Sequence, residues 1–598
     1  MKPLSATTLR QFVGEPGTLL LRQVSDTSES GWLLFHHPQQ ILQTERIDEV
    51  VPYLQSIDEI LSHGQNAVAG IVAYETAPAF DNALQVQDRK PGMPLLWYGV
   101  YDEPLPVSDV MIHTATQSDC ETGSWTAELS EQAYREKIVT ARENIAAGES
   151  YQINLTFRMQ TPFSGDPFAL FQKLYRAQPG AYSAFVNLGE YAVLSVSPEL
   201  FFEKTASKIR CKPMKGTILR GRYPEEDRAF RTQLSASEKD RAENVMIVDM
   251  VRNDLGRIAK TGTVQVPALF EIEPLPHVWQ MTSTVTAETN EPLSTVFRAL
   301  FPCASITGAP KIRTTQLITA LEQSPRGVYT GAIGFALTDQ FVQFNVAIRT
   351  VTIDKRANIA EFGVGGGIVW DSTPEGEYQE CLDKANFLFD ETPQFSLLET
   401  LRWSPRYGYF LWERHLERMR QSARYFGFPF PEQQFRAQLQ EAATQFPPTS
   451  HLVRIQLHET GVMQHEATAL HPKNIRETWR VKLALEPIDE RDKFYFHKTT
   501  NRQPYRKFVS QFPDCDDVLL WNSREELTEA TKANLVIRSN GKYYTPPIAC
   551  GLLAGTYRKE LLSRGILAEK IITRDDLRTA DRIYLINSVR GWIRVVLL

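Results

Sequence analysis

The sequence predicts a mixed α/β chain built in two successive parts, and three observations predict it. Helix-like and strand-like patterns alternate along most of the 598 residues. The composition is globular, with 42% hydrophobic, 10% aromatic and 23% charged residues, and 33 Gly plus 35 Pro fall short of a low-complexity excess. Asp390-Glu391-Thr392-Pro393-Gln394 has the make-up of a short linker, after which the pattern restarts with a new strand. At ~100–200 residues per domain, the length allows about three to five structural units.

Up to about residue 125, the apolar runs Thr18 to Leu21, Gly31 to Phe35 and Ala67 to Tyr74 alternate with polar turns and read as sheet with interspersed helix. A helix is expected from Ser130 through Ala146, then a strand at Tyr151-Gln152-Ile153-Asn154-Leu155-Thr156-Phe157. The clearest helix is placed near Ser235, which has capping-box spacing to Glu238 ahead of Val245, Met246, Ile247, Met250, Val251 and Leu255. Asp240 and Glu243 share one of its faces. Pro374 is a favoured first helical residue, with Thr373 as cap, and opens a helix carrying Glu377, Glu380 and Lys384 on one face. Past the linker, Phe395 to Trp403 reads as a strand and Arg414-His415-Leu416-Glu417-Arg418-Met419 as the start of an amphipathic helix.

With 65 Lys+Arg against 71 Asp+Glu, the net charge of −6 is too mild for a nucleic-acid binder. The six cysteines (Cys120, Cys211, Cys303, Cys381, Cys515, Cys550) have no C-x-x-C spacing, which argues against zinc or a disulfide framework and fits a reducing cytoplasm. The Met1-Lys2-Pro3-Leu4-Ser5 start has no apolar core, and no window of ~18 apolar residues occurs, so neither export nor a membrane span is expected.

Paired carboxylates on two helices are unusual, because like charges at i, i+3 repel unless neutralised. Mg²⁺ would neutralise them, taking oxygen ligands and bridging them to an anionic substrate. So would solvent, with Arg241 and Lys384 as ion-pair partners, and the spacing alone leaves both open. Gly363-Val364-Gly365-Gly366-Gly367 either brings backbone N–H groups to an anion or makes a plain turn; it matches neither the dinucleotide fingerprint nor the P-loop.

Seven segments occur in a telling order: Ser197-Pro198-Glu199, Lys212-Pro213-Met214-Lys215-Gly216-Thr217, Asp240-Arg241-Ala242-Glu243-Asn244, Val251-Arg252-Asn253-Asp254-Leu255, Ser305-Ile306-Thr307-Gly308-Ala309-Pro310-Lys311, Ala347-Ile348-Arg349-Thr350 and Glu377-Tyr378-Gln379-Glu380-Cys381. The series resembles the chorismate-utilising enzymes, which fold as a large α/β sandwich around an internal site. The resemblance implies an N-terminal part over 1–124 and a chorismate-binding catalytic domain over 125–390. It implies Mg²⁺ on Asp240, Glu243, Glu377 and Glu380, and substrate contacts from Gln152, Gln280, Thr307, Tyr329, Arg349, Gly366, Gly367 and Lys384. Glu199 becomes the acid that protonates the departing hydroxyl. Lys215 is the mark of the aminodeoxychorismate synthase branch, since anthranilate synthases have alanine there in P-I-A-G-T. In that branch the lysine attacks C2 of chorismate and expels the C4 hydroxyl; ammonia then adds at C4 and expels the lysine. Such a nucleophile must be deprotonated, through burial or a nearby positive charge. Trp279-Gln280-Met281 lacks the histidine of the anthranilate branch, and Leu19-Leu20-Leu21-Arg22 lacks the serine of the tryptophan-feedback motif, so no inhibition by tryptophan is expected.

After a linker at 391–395, residues 396–598 carry Phe496-His497-Lys498-Thr499-Thr500-Asn501-Arg502, Thr528-Glu529-Ala530-Thr531-Lys532-Ala533-Asn534-Leu535, Gly551-Leu552-Leu553-Ala554-Gly555-Thr556-Tyr557-Arg558 and Asn587-Ser588-Val589-Arg590-Gly591. That series resembles class IV aminotransferases and aminodeoxychorismate lyase, and implies pyridoxal 5′-phosphate. By the resemblance, Lys498 links to the cofactor, Glu529 faces its ring nitrogen, and Arg418, Gly555, Thr556 and Ser588 hold its phosphate. Many members read G-I-T-R where this chain has Gly555-Thr556-Tyr557-Arg558, so Tyr557 replaces the usual threonine. Together the resemblances imply a bifunctional, cytoplasmic enzyme of folate synthesis. It would aminate chorismate with ammonia to 4-amino-4-deoxychorismate, then eliminate pyruvate to give 4-aminobenzoate. No cysteine has a nucleophile's setting, so a separate glutamine amidotransferase subunit is expected; a homodimer through the C-terminal domain follows by analogy. The alternatives are an anthranilate- or isochorismate-type synthase fused to a D- or branched-chain amino acid transaminase, and a non-catalytic chorismate-binding subunit.

Overall fold

The computed structural model describes residues 4–24, 30–64, 66–115, 119–338, 340–390, 394–470 and 478–598. Residues 1–3 of the expected N-terminal reading and 391–393 of the expected linker lie outside the described residues. Two compact units emerge, Met1–Leu219 with Phe230–Glu391, and Arg220–Ala229 with Thr392–Leu598.

Among the described residues, the first unit holds an eleven-stranded and a ten-stranded sheet. One runs Gly308–Ala309, Gln152–Gly165, Ile359–Ile368, Thr350–Asp354, Tyr191–Ser195, Ala184–Asn187, Thr18–Gln23, Gly31–Phe35, Leu105–Val107, with Cys120–Thr122 and Thr126–Ala127 also paired to Gln152–Gly165. The other runs Met214–Leu219, Val278–Glu288, Lys208–Lys212, Leu200–Thr205, Phe341–Val346, Ala332–Thr338, Ala67–Val72, Leu96–Tyr101, Gln40–Thr44, with Gln265–Pro274 also paired to Val278–Glu288. Strands from before and after residue 125 are therefore neighbours in both sheets.

The two-residue period of a strand explains how these sheets stack. Leu19, Leu21, Ala69, Ile71, Val193 and Phe335 form one core between the sheets, while the alternate Leu20 and Leu194 pack outward with Tyr134, Phe171 and Leu317 of covering helices. Val68 and Val72 likewise meet Leu54, Val251 and Phe297 on the far side of the second sheet. The result is a helix–sheet–sheet–helix sandwich.

Helices Glu131–Ala146 and Pro374–Ala385 start at Ser130 and Thr373, whose side chains accept from Ala133 N and Gly376 N. The long acidic helix differs from expectation: Ser235 ends a separate helix, Pro224–Ala236, and the cap of Glu238–Gly256 is Ser237, accepting from Asp240 N. Ser237, three residues before Asp240, meets the capping geometry that Ser235 cannot once it is helical itself. The glycine run is neither turn nor loop. It lies within the Ile359–Ile368 strand, paired antiparallel with Gln152–Gly165 so that Gly363, Gly365, Gly366 and Gly367 face Arg158, Thr156, Leu155 and Asn154.

In the second unit, among the described residues, a four-stranded sheet contains Leu397–Ser404 and His451–Leu457, covered by the Trp412–Phe426 helix through Leu401, Leu416, Met419 and Val453. An eight-stranded mixed sheet carries Leu527–Ala530, Asp517–Trp521, Thr478–Leu483 and Asn534–Ser539. Among the described residues, no helix is long and apolar enough to cross a membrane.

Candidate active sites

In the first unit, Lys215 projects from the Met214–Leu219 strand towards the glycine strand. A Cβ built on Gly367 would strike Gln152 Nε2 and stand 3.0 Å from Lys215 Nζ; one on Gly366 would stand 2.9 Å from Glu377 Oε2, 3.8 Å from Glu380 Oε1 and 3.9 Å from Lys384 Nζ. One on Gly363 would overlap the Tyr329 ring. The glycines are thus needed because functional side chains lie flat against their strand. Gly216 (φ +92°) lets the Lys215 strand approach the acidic helix, for a Cβ there would stand 2.9 Å from Asp240 Cβ.

This arrangement brings together Lys215, Gln152, Tyr329, Gly366, Gly367, Lys384 and the carboxylates Glu243, Glu377 and Glu380. Lys215 is partly exposed as a residue, yet its amine is enclosed; burial first, and the charge of Lys384 second, pull its pKa down. Burial also pushes Glu199 up to about 7, against a hydrogen bond from Ser305 and the charge of Lys215. Lys384 binds Glu380 at 2.7 Å and donates to Gly365 O at 2.9 Å. Its charge keeps the half-exposed Glu380 low, whereas burial raises Glu243 and Glu377.

Several buried polar atoms here have no partner among the described residues: both amide atoms of Gln152, Glu199 Oε1, Glu377 Oε2 and Arg349 Nη1. Burial pushes the Arg349 guanidinium down to about 10. Such groups are costly unless a ligand completes them. Ser372, absent from the expected set, donates to Glu377 Oε1 at 2.6 Å and so leaves Oε2 as the free oxygen. Gln280 and Thr307 are engaged within the protein. Gln280 donates to Gly216 O and accepts from Thr217 Oγ1, tying the Lys215 strand to its neighbour, and Thr307 Oγ1 donates to Cys303 O at 3.1 Å. Among the described residues, no group of three or more His, Cys, Asp or Glu could hold a metal ion on its own. The acidic set meets a cation only with water or substrate oxygens completing the shell, which is how Mg²⁺ is commonly held; the free Glu377 oxygen fits that use.

In the second unit, Lys498 has its amine enclosed, and burial with the charge of Arg418 lowers it to about 8. Burial raises Glu529 to about 8, although Tyr505 donates to its Oε1 at 2.9 Å and Asn534 to its Oε2 at 3.1 Å. A Cβ on Gly555 would collide with Asn534 Oδ1, and Gly555 caps the Thr556–Ser563 helix. Arg418 grips Glu399 with two 2.7 Å hydrogen bonds and reaches Ala554 O at 3.2 Å. His415 bonds Glu399 Oε2 at 2.6 Å and Thr556 Oγ1 at 3.2 Å. Ser588 Oγ reaches Thr400 O at 3.5 Å, and Tyr557 packs its ring against Phe410. The helix N-terminus with the Arg418 charge beside it suits a phosphate, the glycine keeps the cradle open, and Glu529 is an acid that a cationic ring nitrogen would ionise; the residues fit pyridoxal phosphate. Glu399 was missed as a functional residue, though a lone acid among Leu397, Leu398 and Leu401 is a signal of a buried, paired carboxylate.

These two constellations, one polar cluster of carboxylates and lysines on a β-sandwich and one lysine–acid pair beside a helix N-terminus, are those of two enzyme classes. The chain belongs to the chorismate binding enzyme family, whose model matches residues 22–390, and residues 396–598 match the amino-transferase class IV model. It is 34% identical over 402 residues to aminodeoxychorismate synthase component 1 of Salmonella typhimurium, covering 63% of this chain and 87% of that protein. It is 37% identical over 346 residues to the Escherichia coli protein of the same name, covering 54% and 76%. Anthranilate synthase component I from Streptococcus pneumoniae shares the sandwich fold, with a TM-score of 0.53 and 24% identity over 62% of this chain and 94% of that one.

Proposed function

We propose that the first unit aminates chorismate to 4-amino-4-deoxychorismate and that the second releases pyruvate from this product to give 4-aminobenzoate. The observation that carries the reading is the enclosed Lys215 amine, held down in pKa and set between the glycine strand, Gln152 and the charge of Glu199. A neutral amine there can add to C2 of chorismate while Glu199, protonated near neutrality, gives its proton to the leaving C4 hydroxyl. Ammonia then adds at C4, the Lys215 amine departs, and the proton lost by the new amine restores Glu199, so one water leaves for each ammonia taken up. Arg349, whose enclosed guanidinium keeps Nη1 without a partner among the described residues, is suited to a substrate carboxylate. Together with water or substrate oxygens, Asp240, Glu243, Glu377 and Glu380 would hold Mg²⁺, which would supply positive charge beside the substrate's carboxylate.

In the second unit, Lys498 would carry pyridoxal phosphate, with Glu529 on its ring nitrogen and Arg418 and the Gly555–Thr556 backbone at its phosphate. Bound there, the cofactor supplies an electron sink for the amine-bearing carbon. Lys498, poised near pH 8, is placed to take the C4 proton and to return one to the leaving three-carbon unit, which departs as pyruvate while the ring becomes aromatic.

Burial pushes the thiols of Cys303, Cys381 and Cys550 up to about 12, far from an activated nucleophile. This supports ammonia as the direct donor, with glutamine serving only through a separate glutaminase subunit. The test is to load the purified chain with pyridoxal phosphate and supply chorismate, ammonium and Mg²⁺. Equimolar 4-aminobenzoate and pyruvate are expected, lost on chelation of Mg²⁺ and absent with glutamine as sole nitrogen source. Anthranilate as the product would overturn the reading.

A further inference from the structure

Behind Tyr329 lies a charged cluster that the reaction above does not use. Arg326 and Glu322 are 3% and 6% exposed and Arg158 2%. Glu322 receives Arg326 Nη2 at 2.7 Å and Nε at 3.0 Å, together with Thr156 N at 2.9 Å and Thr156 Oγ1 at 2.8 Å. The rest of the Arg326 fork reaches backbone: Nη1 donates to Ile306 O at 2.8 Å and Nη2 to Asn154 O at 2.7 Å. Its own N–H donates to the buried Glu75 at 2.7 Å. Arg158 lies 5.1 Å from the Tyr329 ring centre and donates to Thr156 Oγ1 at 3.0 Å.

The two guanidinium bonds to backbone end beside groups assigned to the substrate. Ile306 precedes Thr307, whose carbonyl accepts from Asn154 N at 2.8 Å. Asn154 is two residues from Gln152 on the same strand and on the same face of it. Tyr329 follows Arg326 by three residues and rests on Gly363. A buried ion pair adds little net stability compared with an apolar replacement, so a reason other than stability is needed to account for so expensive a cluster. The guanidinium's fixed fork is the one side chain that can hold two carbonyls and a carboxylate at set angles.

We propose that Arg326 is a positioning residue for chorismate binding: with Glu322 it locks the Thr307 loop, the Gln152 strand and the Tyr329 ring to one another. This rests on the reading of the first unit as a chorismate site. A residue needed only for folding would, when changed, reduce the number of active molecules and leave the KM of the survivors unaltered. A positioning residue changes KM instead.

The experiment measures initial rates of Arg326→Lys in the full chain with varied chorismate at saturating ammonium and Mg²⁺, and then with varied ammonium. Lysine keeps the charge but cannot make the forked set of bonds. A displacement of ~1 Å can cost 10²-fold, so the KM for chorismate should rise at least about tenfold, with the KM for ammonium within about twofold and the pyridoxal phosphate absorbance of the second unit unchanged. Should this variant not fold, Thr156→Val removes only the hydroxyl on Glu322 and keeps a β-branched strand residue; a rise of about threefold in the same KM is expected. A lowered kcat at unaltered KM for chorismate, or no change in either variant, would overturn the proposal while leaving the chorismate reading intact. Absence of chorismate turnover in the parent chain would remove both.

Discussion

The Lys215 and Lys498 sites both enclose an amine that burial lowers first and a neighbouring cation second, Lys384 in one and Arg418 in the other. Their surroundings differ. Around Lys215, Gln152, Glu199, Arg349 and Glu377 keep buried polar atoms without protein partners. Around Lys498, Glu529 is matched by Tyr505 and Asn534, and Glu399 by Arg418 and His415. Among the described residues, the Lys498 side also leaves His497 Nε2 and Thr528 Oγ1 unpartnered, but its carboxylates are matched by protein groups, so the first site depends more on what it binds and the second is the more nearly completed by itself. Changes in the first should therefore register mainly in substrate and metal dependence, and changes in the second also in stability.

The sharpest break in the comparison comes from the two lysines. Lys215→Ala should lower chorismate amination on the order of 10⁴-fold or more while pyridoxal phosphate still binds, because a nucleophile has no substitute. Lys498→Ala should leave amination intact, so that 4-amino-4-deoxychorismate accumulates and pyruvate formation falls by a similar factor. Product analysis of both variants from chorismate, ammonium and Mg²⁺ decides it. Loss of 4-amino-4-deoxychorismate together with pyruvate in Lys498→Ala, or failure of Lys215→Ala to release pyruvate from supplied 4-amino-4-deoxychorismate, would show that the two chemistries share one site.

Glu199 is the next test. Its carboxyl sits at about 7 because it is buried, so with free ammonia held constant kcat/KM for chorismate should be bell-shaped with one limb near pH 7. Glu199→Gln should cost ~10³-fold and erase that limb. A limb near 7 that survives in the variant would belong to another group.

How far such groups can be read from sequence depends on whether their meaning is local. Ser130 and Thr373 announce their helices because a cap and its acceptors lie within four residues. Ser235 misled because Ser237, two residues on, satisfies nearly the same spacing, and only the extent of the preceding helix chooses between them. The glycine run could not be resolved at all: whether glycine serves a turn or makes room depends on Tyr329, Gln152 and Lys215, which arrive from other strands. The motif residues around Lys215 and Lys498 were legible because their order along the chain resembles known families, whereas Glu399, Ser372 and Arg326 act through partners that no spacing rule supplies.

Glu399 offers the smallest effect and the most direct measure of the self-completed site. Against the burial that would raise it, Arg418 and His415 hold its carboxyl at about 2 rather than the ordinary 4.5. A carboxyl depressed in the folded state contributes stability that is fully present above its unfolded value and is lost as pH falls towards the folded one. The window is therefore pH 4.5 down to about 2, the whole contribution is about 3 kcal/mol, and about 2 kcal/mol of it should be gone by pH 3. Pulsed hydrogen exchange in urea, read over Leu397–Ser404 and Trp412–Phe426 at pH 6 and pH 3, measures this directly. In Glu399→Gln the same segments should be weaker at pH 6, since Arg418 loses its charged partner, and should change less between the two pH values. An equal pH response in parent and variant would mean that Glu399 is not what holds this site together, and the contrast with the Lys215 site would lose its physical basis.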